Sequence, residues 1–261
     1  MTKEHLEYLK REKRRKIAVK ITQAGALVLL IALWEILARN NIIDPFIMSS
    51  PSRVVKSIVS LSKTGLWRHV YVTLFETITG FLIADVVGLL AGFLMWYFDF
   101  FKEVAEPYLV VLNSLPKIAL GPILIVWCGI GYKPIIAMTV LICVIITNIS
   151  VLSAFAETDG DKIYLLRAMK ARKITIFFKL VFPSSLPAII SMLKINVGLA
   201  FVGSIMGEYL VSREGLGYLI VYGGQVFKLD LVMAATIILL FLAGIIYYLV
   251  SLLEKLVIRY R

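Results

Sequence analysis

Six long apolar runs leave this chain few possible folds. They occupy residues 21–38, 72–98, 107–130, 134–155, 186–210 and 231–253. A helix of roughly 20 apolar residues crosses the hydrocarbon core of a bilayer. Inside that core every backbone donor and acceptor must be satisfied internally, so only helices and closed barrels span it. The runs are long and lack the period-two alternation of barrel strands. An all-α, polytopic transmembrane helical bundle of about six spans is therefore expected. Composition agrees, with 60% hydrophobic and 17% charged residues, against roughly half and a quarter in soluble domains.

The basic stretch 1–20 precedes the first run and reads as a cytoplasmic tail. The run after it ends in Trp34, Glu35 and Arg39 with no small-x-small cleavage site, so it reads as an uncleaved first span. Residues 21–261 then form a single transmembrane domain. Lys and Arg in the connections set orientation. One side holds Lys3, Lys10, Arg11, Lys13, Arg14, Arg15, Lys16, Lys20, Lys102, Lys162, Arg167, Lys170, Arg172, Lys173, Lys179, Lys255, Arg259 and Arg261. The other holds only Arg39, Arg53, Lys56, Lys63, Arg68, Lys133, Arg213 and Lys228. Both termini are expected in the cytoplasm of a cell-membrane protein. The net charge of +11 is spread between apolar runs, which suits a lipid bilayer and not nucleic acid, since no basic groove with stacking aromatics occurs.

Two connections look structured. Ser50-Pro51 reads as an N-cap with proline at the first helical position, and Val54, Val55, Ile58 and Val59 share one face of the short outer helix that follows. On the other side, 157–183 reads as a helix-turn-helix hairpin. Thr158-Asp159-Gly160-Asp161 forms its turn and cap, and Ile163, Leu166 and Met169 recur at helical spacing. The basic group Lys170, Arg172 and Lys173 follows, and then a second apolar face of Ile174, Phe177, Phe178 and Val181. Ser184-Ser185-Leu186-Pro187 is expected to restart a helix. The hairpin is the candidate partner contact. Its alternative is a basic surface helix held by acidic lipid.

Chemistry-bearing motifs are sparse. No Gly is followed by Lys, so there is no Walker A loop, and the connections are too short for a nucleotide-binding domain. His5 and His69 are the only histidines and are expected outside the spans. Cys128 and Cys143 have no metal or disulfide spacing. The chain is expected to be no enzyme and to bind no cofactor. Polar residues at membrane depth are Glu35, Glu76, Asp85, Asn113, Lys117, Asn148, Lys194, Asn196 and Glu208. Such groups are costly and face a bundle interior or an aqueous path, or else they bond helix to helix. Glu35, Asp85 and Lys117 are expected near span ends. Glu76, Asn113, Asn148, Asn196 and Glu208 are the candidate lining of a translocation path. A stand-alone secondary transporter would need broken helices at matching positions of two halves. Pro116 and Pro122 break the third run, and the sixth has no such break.

Four stretches resemble the permease subunits of binding-protein-dependent ABC importers, in the nitrate, sulfonate and taurine branch. Leu33-Trp34-Glu35 with Ser50-Pro51-Ser52-Arg53-Val54 is similar to the opening span and outer S-P-S-x-V element. Leu115-Pro116-Lys117-Ile118-Ala119-Leu120-Gly121-Pro122 with Trp127-Cys128-Gly129-Ile130-Gly131 resembles L-P-x-x-A-L-x-P and W-F-G-I-G, with Cys128 for Phe. Glu208 with Gly215-Leu216-Gly217-Tyr218-Leu219-Ile220 resembles A-E and G-L-G-Y-L-I, with Gly207 for Ala. The hairpin resembles the E-A-A-x-x-x-G loop but departs from it. Tyr164-Leu165-Leu166 stand at E-A-A and Lys170 stands at the glycine, while Arg167, Ala171 and Val181-Phe182-Pro183 fit. The resemblance implies a type I importer permease. It also implies a second permease copy, two cytoplasmic ATPase chains holding ATP and Mg, and an extracytoplasmic binding protein. It further implies coupling to the ATPase through Tyr164, Leu165, Leu166, Arg167, Ala168, Met169, Lys170, Ala171, Arg172 and Pro183. The solute implied is a sulfonate, taurine, nitrate or similar small molecule, with a vitamin precursor as a further option.

Overall fold

The computed structural model describes the backbone of residues 3–258 and the side chains of residues 11–256. Arg259 and Arg261, counted above for orientation, lie outside the described residues, as do the side chains of Lys3, His5 and Lys10. Every regular element among the described residues is helical. Five helices are long and apolar enough to cross a membrane, and a bent pair brings the number to six if it counts as one span.

Helix α1 (Lys3–Arg39) runs without a break through both the basic stretch and the first apolar run. A short turn of helix, α2 (Pro45–Met48), leads to α3 (Pro51–Lys63). Ser50 caps α3 by accepting from the Arg53 amide, as the sequence indicated. Its inward face is Val54, Ile58 and Leu61, whereas Val55 and Val59 point outward. Polar bonds tie α3 to its neighbours. The Glu35 carboxylate accepts from the Ser52 amide at 3.0 Å. Arg53 pairs with Asp230 at 2.9 Å, and Ser49 donates to the same carboxylate at 2.7 Å.

The second span, α4 (Leu66–Tyr97), begins six residues before the apolar run did. His69, expected between spans, therefore sits in the first turn of a span. Asp85, expected near an end, lies near the middle. The third run is the broken one. Helix α5 (Asp99–Ser114) stops because Leu115 precedes Pro116 and takes an extended conformation. After a 3₁₀ turn (Lys117–Leu120), α6 (Gly121–Cys128) leaves at 89°.

Helix α7 (Tyr132–Ala156) is the axis of the bundle, packed between α4 and α10 (Phe182–Val211). Close approach is made by small residues spaced four apart, the usual device where lipid supplies no hydrophobic drive between helices. On α4 these are Gly80, Ala84, Gly88 and Gly92. A Cβ at Gly80 or Gly88 would lie 2.6 Å from the Cβ of Thr139 or Thr147. On α10, a Cβ at Gly203 would lie 2.6 Å from the Thr139 Cα.

The hairpin forms with one correction. Helix α8 (Gly160–Ala168) and helix α9 (Lys173–Ile176) flank the turn. Beyond α9 the chain does not stop and restart at Ser184. A π-turn (Phe177–Val181) carries it directly into α10, through both Pro183 and Pro187. The Phe182 amide bonds five residues back, to Phe177. The wider turn falls where Pro183 lacks a donor, so the missing bond does not break the helix. The chain closes with α11 (Leu216–Gln225) and α12 (Leu229–Ile258). Helix α11 has no counterpart among the six runs.

Candidate functional site

Three polar constructions sit on this scaffold. The first is at the α4 end where α11 begins. Four amides at a helix N-terminus have no partner within the helix, and here all four are met by side chains from other helices. Gly215 donates to His69 Nδ1 at 3.0 Å, and Leu216 donates to Thr73 Oγ1 at 2.8 Å. Gly217 and Tyr218 donate to Glu208 Oε2 at 2.5 and 3.3 Å. Thr73 in turn donates to Glu208 Oε1 at 2.6 Å. Glu208 also places negative charge at the positive end of α11. Gly215 is required, since its φ is +106° and a Cβ would run into the Glu208 carboxylate.

Glu76 is the odd member of this group. It is 2% exposed, and its carboxyl faces that of Glu208. Its Oε2 has no partner. It also lines a cavity of about 320 Å³ between the start of α4, the α6–α7 turn and the α10–α11 turn.

The second construction lies at the middle of the bundle. Asn196 donates to Asp85 Oδ1 and Thr147 Oγ1, both at 2.6 Å, and Thr147 lies 3.0 Å from the same Asp85 oxygen. Asp85 Oδ2 and Asn196 Oδ1 are buried without a partner, as is Asn148 Oδ1 on the next residue of α7. Two turns along both helices toward α11, the Thr77 and Ser204 hydroxyls meet at 2.7 Å.

The third is the hairpin. Asp159 caps α8 from the Asp161 amide at 3.0 Å. A hydrogen bond from Lys162, helped by that amide, holds the Asp159 carboxyl below the usual range. Lys170 makes the corner in the left-handed region, at φ +60°, without being glycine. Ile163, Leu166 and Ala171 pack inward on Phe177, which is ringed by Phe93, Trp96, Phe155, Phe178 and Phe182. Lys173 lies over Trp96 and pairs with Asp99. Tyr164, Leu165 and Met169 face outward, 75%, 59% and 71% exposed. Met169, read with Ile163 and Leu166 as one face, thus belongs to the opposite one.

The five path candidates do not share one place. Glu76 and Glu208 meet at α11, and Asn196 belongs with Asp85. Asn148 is buried on α7. Asn113 is exposed beside the α5–α6 break, where Lys117 donates to its backbone oxygen at 3.1 Å and approaches its Oδ1 at 3.4 Å. Lys194 pairs across to Glu254 on α12 at 2.5 Å. Thr73 and Thr147 escaped the sequence reading, which had set His69 outside the spans and Asp85 near a span end. The available signal was a stripe on α4 of polar and small residues three to four apart: His69, Thr73, Glu76, Gly80, Ala84, Gly88 and Gly92. Among the described residues no group of three or more His, Cys, Asp or Glu is placed to hold a metal.

Comparison with known proteins places these features in a family. Residues 85–259 match the family described as "Binding-protein-dependent transport system inner membrane component". The formylaminopyrimidine transport permease protein ThiX of Halalkalibacterium halodurans is 32% identical over 191 residues, 73% of this chain and 76% of that protein. The taurine transport system permease protein TauC of Escherichia coli is 21% identical over 225 residues, 84% of this chain and 82% of that one. In fold, the chain resembles the MetNI methionine ABC transporter in an inward-facing crystal form. That similarity has a TM-score of 0.66 and 22% identity, covering 74% of this chain and 95% of the other. The chain belongs to the inner-membrane components of binding-protein-dependent transport systems and is an ABC importer permease subunit of the nitrate, sulfonate and taurine type.

Proposed function

We propose that the chain forms the membrane path of an ATP-driven importer for a small solute delivered by an extracytoplasmic binding protein. Two permease copies pair with two cytoplasmic ATPase chains, which hold the ATP and Mg; this chain binds neither. Both termini and the hairpin face the cytoplasm, in line with the Lys and Arg distribution. The solute is a sulfonate, taurine, nitrate or a similar molecule, and the ThiX relative adds pyrimidine vitamin precursors to that class.

The observation that carries this reading is the outward face of the hairpin. Tyr164, Leu165 and Met169 are large apolar side chains exposed beside a basic corner, on an element braced from behind by the Phe177 ring cluster. Such a face suits docking against another protein, and the rigid backing lets movement of that partner be passed to α4 and α10. Leu166 and Ala171 serve as the packed side, and Pro183 sits at the junction to α10. Among the path candidates, Glu76 and Asn113 have polar groups free for solute, while Asn196 and Glu208 chiefly hold helices in register.

The test is co-expression with the candidate ATPase and binding protein. Wild type is expected to co-purify with the ATPase and to drive ATP-dependent uptake in proteoliposomes. Leu165→Asp is expected to lose both while keeping the wild-type melting temperature. Retention of the ATPase by that variant, or uptake without ATP, overturns the reading.

A further inference from the structure

A groove runs from the hairpin into the bundle along one side of α5. Helix α4 ends at Tyr97, α5 begins at Asp99 and α7 ends at Ala156, so three helix ends mark one membrane surface. Trp96 and Tyr97 are the amphipathic rings that favour this level. Helix α5 has no buried residue, so it leans on α4 and α7 without being enclosed by them. Two adjoining cavities follow its side, of about 240 and 170 Å³, and they share Lys102, Leu152 and Ala156.

The two cavities differ in chemistry. The one against the hairpin is bounded by the rings of Trp96 and Phe155 and by four charged side chains, Asp99, Lys102, Arg167 and Lys173. The other leads away from that surface along Leu109, Val110, Ile149 and Leu152, and it adds Glu106 and Ser153 to Lys102 as its polar members. Asp99 is taken up by Lys173, at 3.3 Å. Lys102 and Arg167 make no ion pair among the described residues, and Glu106, one turn along α5 from Lys102, makes none with it. Glu103 lines neither cavity. Two cations against one carboxylate leave a single positive charge, the complement of a phosphodiester.

We propose that this groove holds an anionic phospholipid, with its phosphate between Lys102 and Arg167 and one acyl chain laid along Leu109, Val110 and Ile149. A guanidinium presents a planar fork that matches phosphate oxygens, and Lys102 adds a point charge beside it. A basic pocket between helices at a membrane surface recognises anionic headgroups in this way. An apolar continuation at membrane depth is what separates a lipid from a soluble phosphate. The bound lipid bridges the hairpin to α5 and α7.

Native mass spectrometry of the full chain reads occupancy. The protein is stripped of lipid in detergent and then given phosphatidylglycerol, phosphatidylcholine or inorganic phosphate. Wild type is expected to retain phosphatidylglycerol at least about fivefold better than phosphatidylcholine. Lys102→Gln is expected to lower phosphatidylglycerol retention about fivefold with an unchanged melting temperature, and Lys102→Arg to keep it. Lys56→Gln removes a cation from α3, at the other membrane surface, and is expected to change nothing. No retained lipid, equal retention of the two lipids, an undiminished signal in Lys102→Gln, an equal loss in Lys56→Gln, or inorganic phosphate bound in place of lipid each overturns the site. The site stands apart from the importer reading, since neither ATP nor an ATPase enters the measurement.

Discussion

The two ends of α10 are anchored by opposite kinds of force. At its α11 end Glu208 joins a set of directed hydrogen bonds with Thr73 and the first amides of α11. At its hairpin end the anchor is chiefly packing, of Phe177 and its ring neighbours, with the Lys173–Asp99 pair beside it. Hydrogen bonds weaken steeply with angle and distance, whereas apolar burial is non-directional. The α11 end is therefore fixed in one register, and the hairpin end tolerates repacking.

Substitutions can break this comparison. The largest effect is expected from Phe177→Ala, about 4 kcal/mol lost to the cavity and the missing contacts, read as a fall in detergent melting temperature. Phe177→Leu sharpens the point: a packed end that tolerates repacking loses under about 1.5 kcal/mol. Gly203→Val on α10 is expected to cost about 3 kcal/mol, because its Cβ meets the backbone of α7, which cannot yield like a side chain. Loss of monodisperse protein on gel filtration would register it.

At the polar end, Glu208→Gln is expected to cost about 2 kcal/mol despite its small change in size, since an amide cannot accept from all three donors. If Glu208→Gln is milder than Phe177→Leu, the contrast between the ends is wrong. The smallest effect is a gain. Lys170→Gly is expected to stabilise the hairpin by under about 1 kcal/mol, because glycine takes φ +60° without strain. Slower hydrogen exchange across α8 would report it.

Much of this organisation was legible in the chain. The runs located the five long apolar helices and the bent pair, Ser50-Pro51 marked the start of α3, and Asp159 marked that of α8. The corner at Lys170 stood where the family pattern has glycine. These features depend on near neighbours: a helix needs a length of apolar residues, and a cap needs a short side chain two or three residues from the amides it serves.

What escaped the sequence depends on distant residues. Asp85 was set near a span end although it stands at the middle of the 72–98 run, and apolarity alone gave α4 too late a start because its first turns are held by His69 and Thr73 bonding to α11. The Pro183 restart failed because a π-turn absorbed the missing donor. Residues 69, 73 and 208 form one cap only because three helices meet there, and Glu76 acquires its meaning from the carboxyl it faces. The sequence by itself determined that the chain crosses a bilayer, where its long apolar helices lie, and which family it resembles. Only the tertiary structure decided which buried polar groups are satisfied and which are left over, because that depends on what each helix presents to the next.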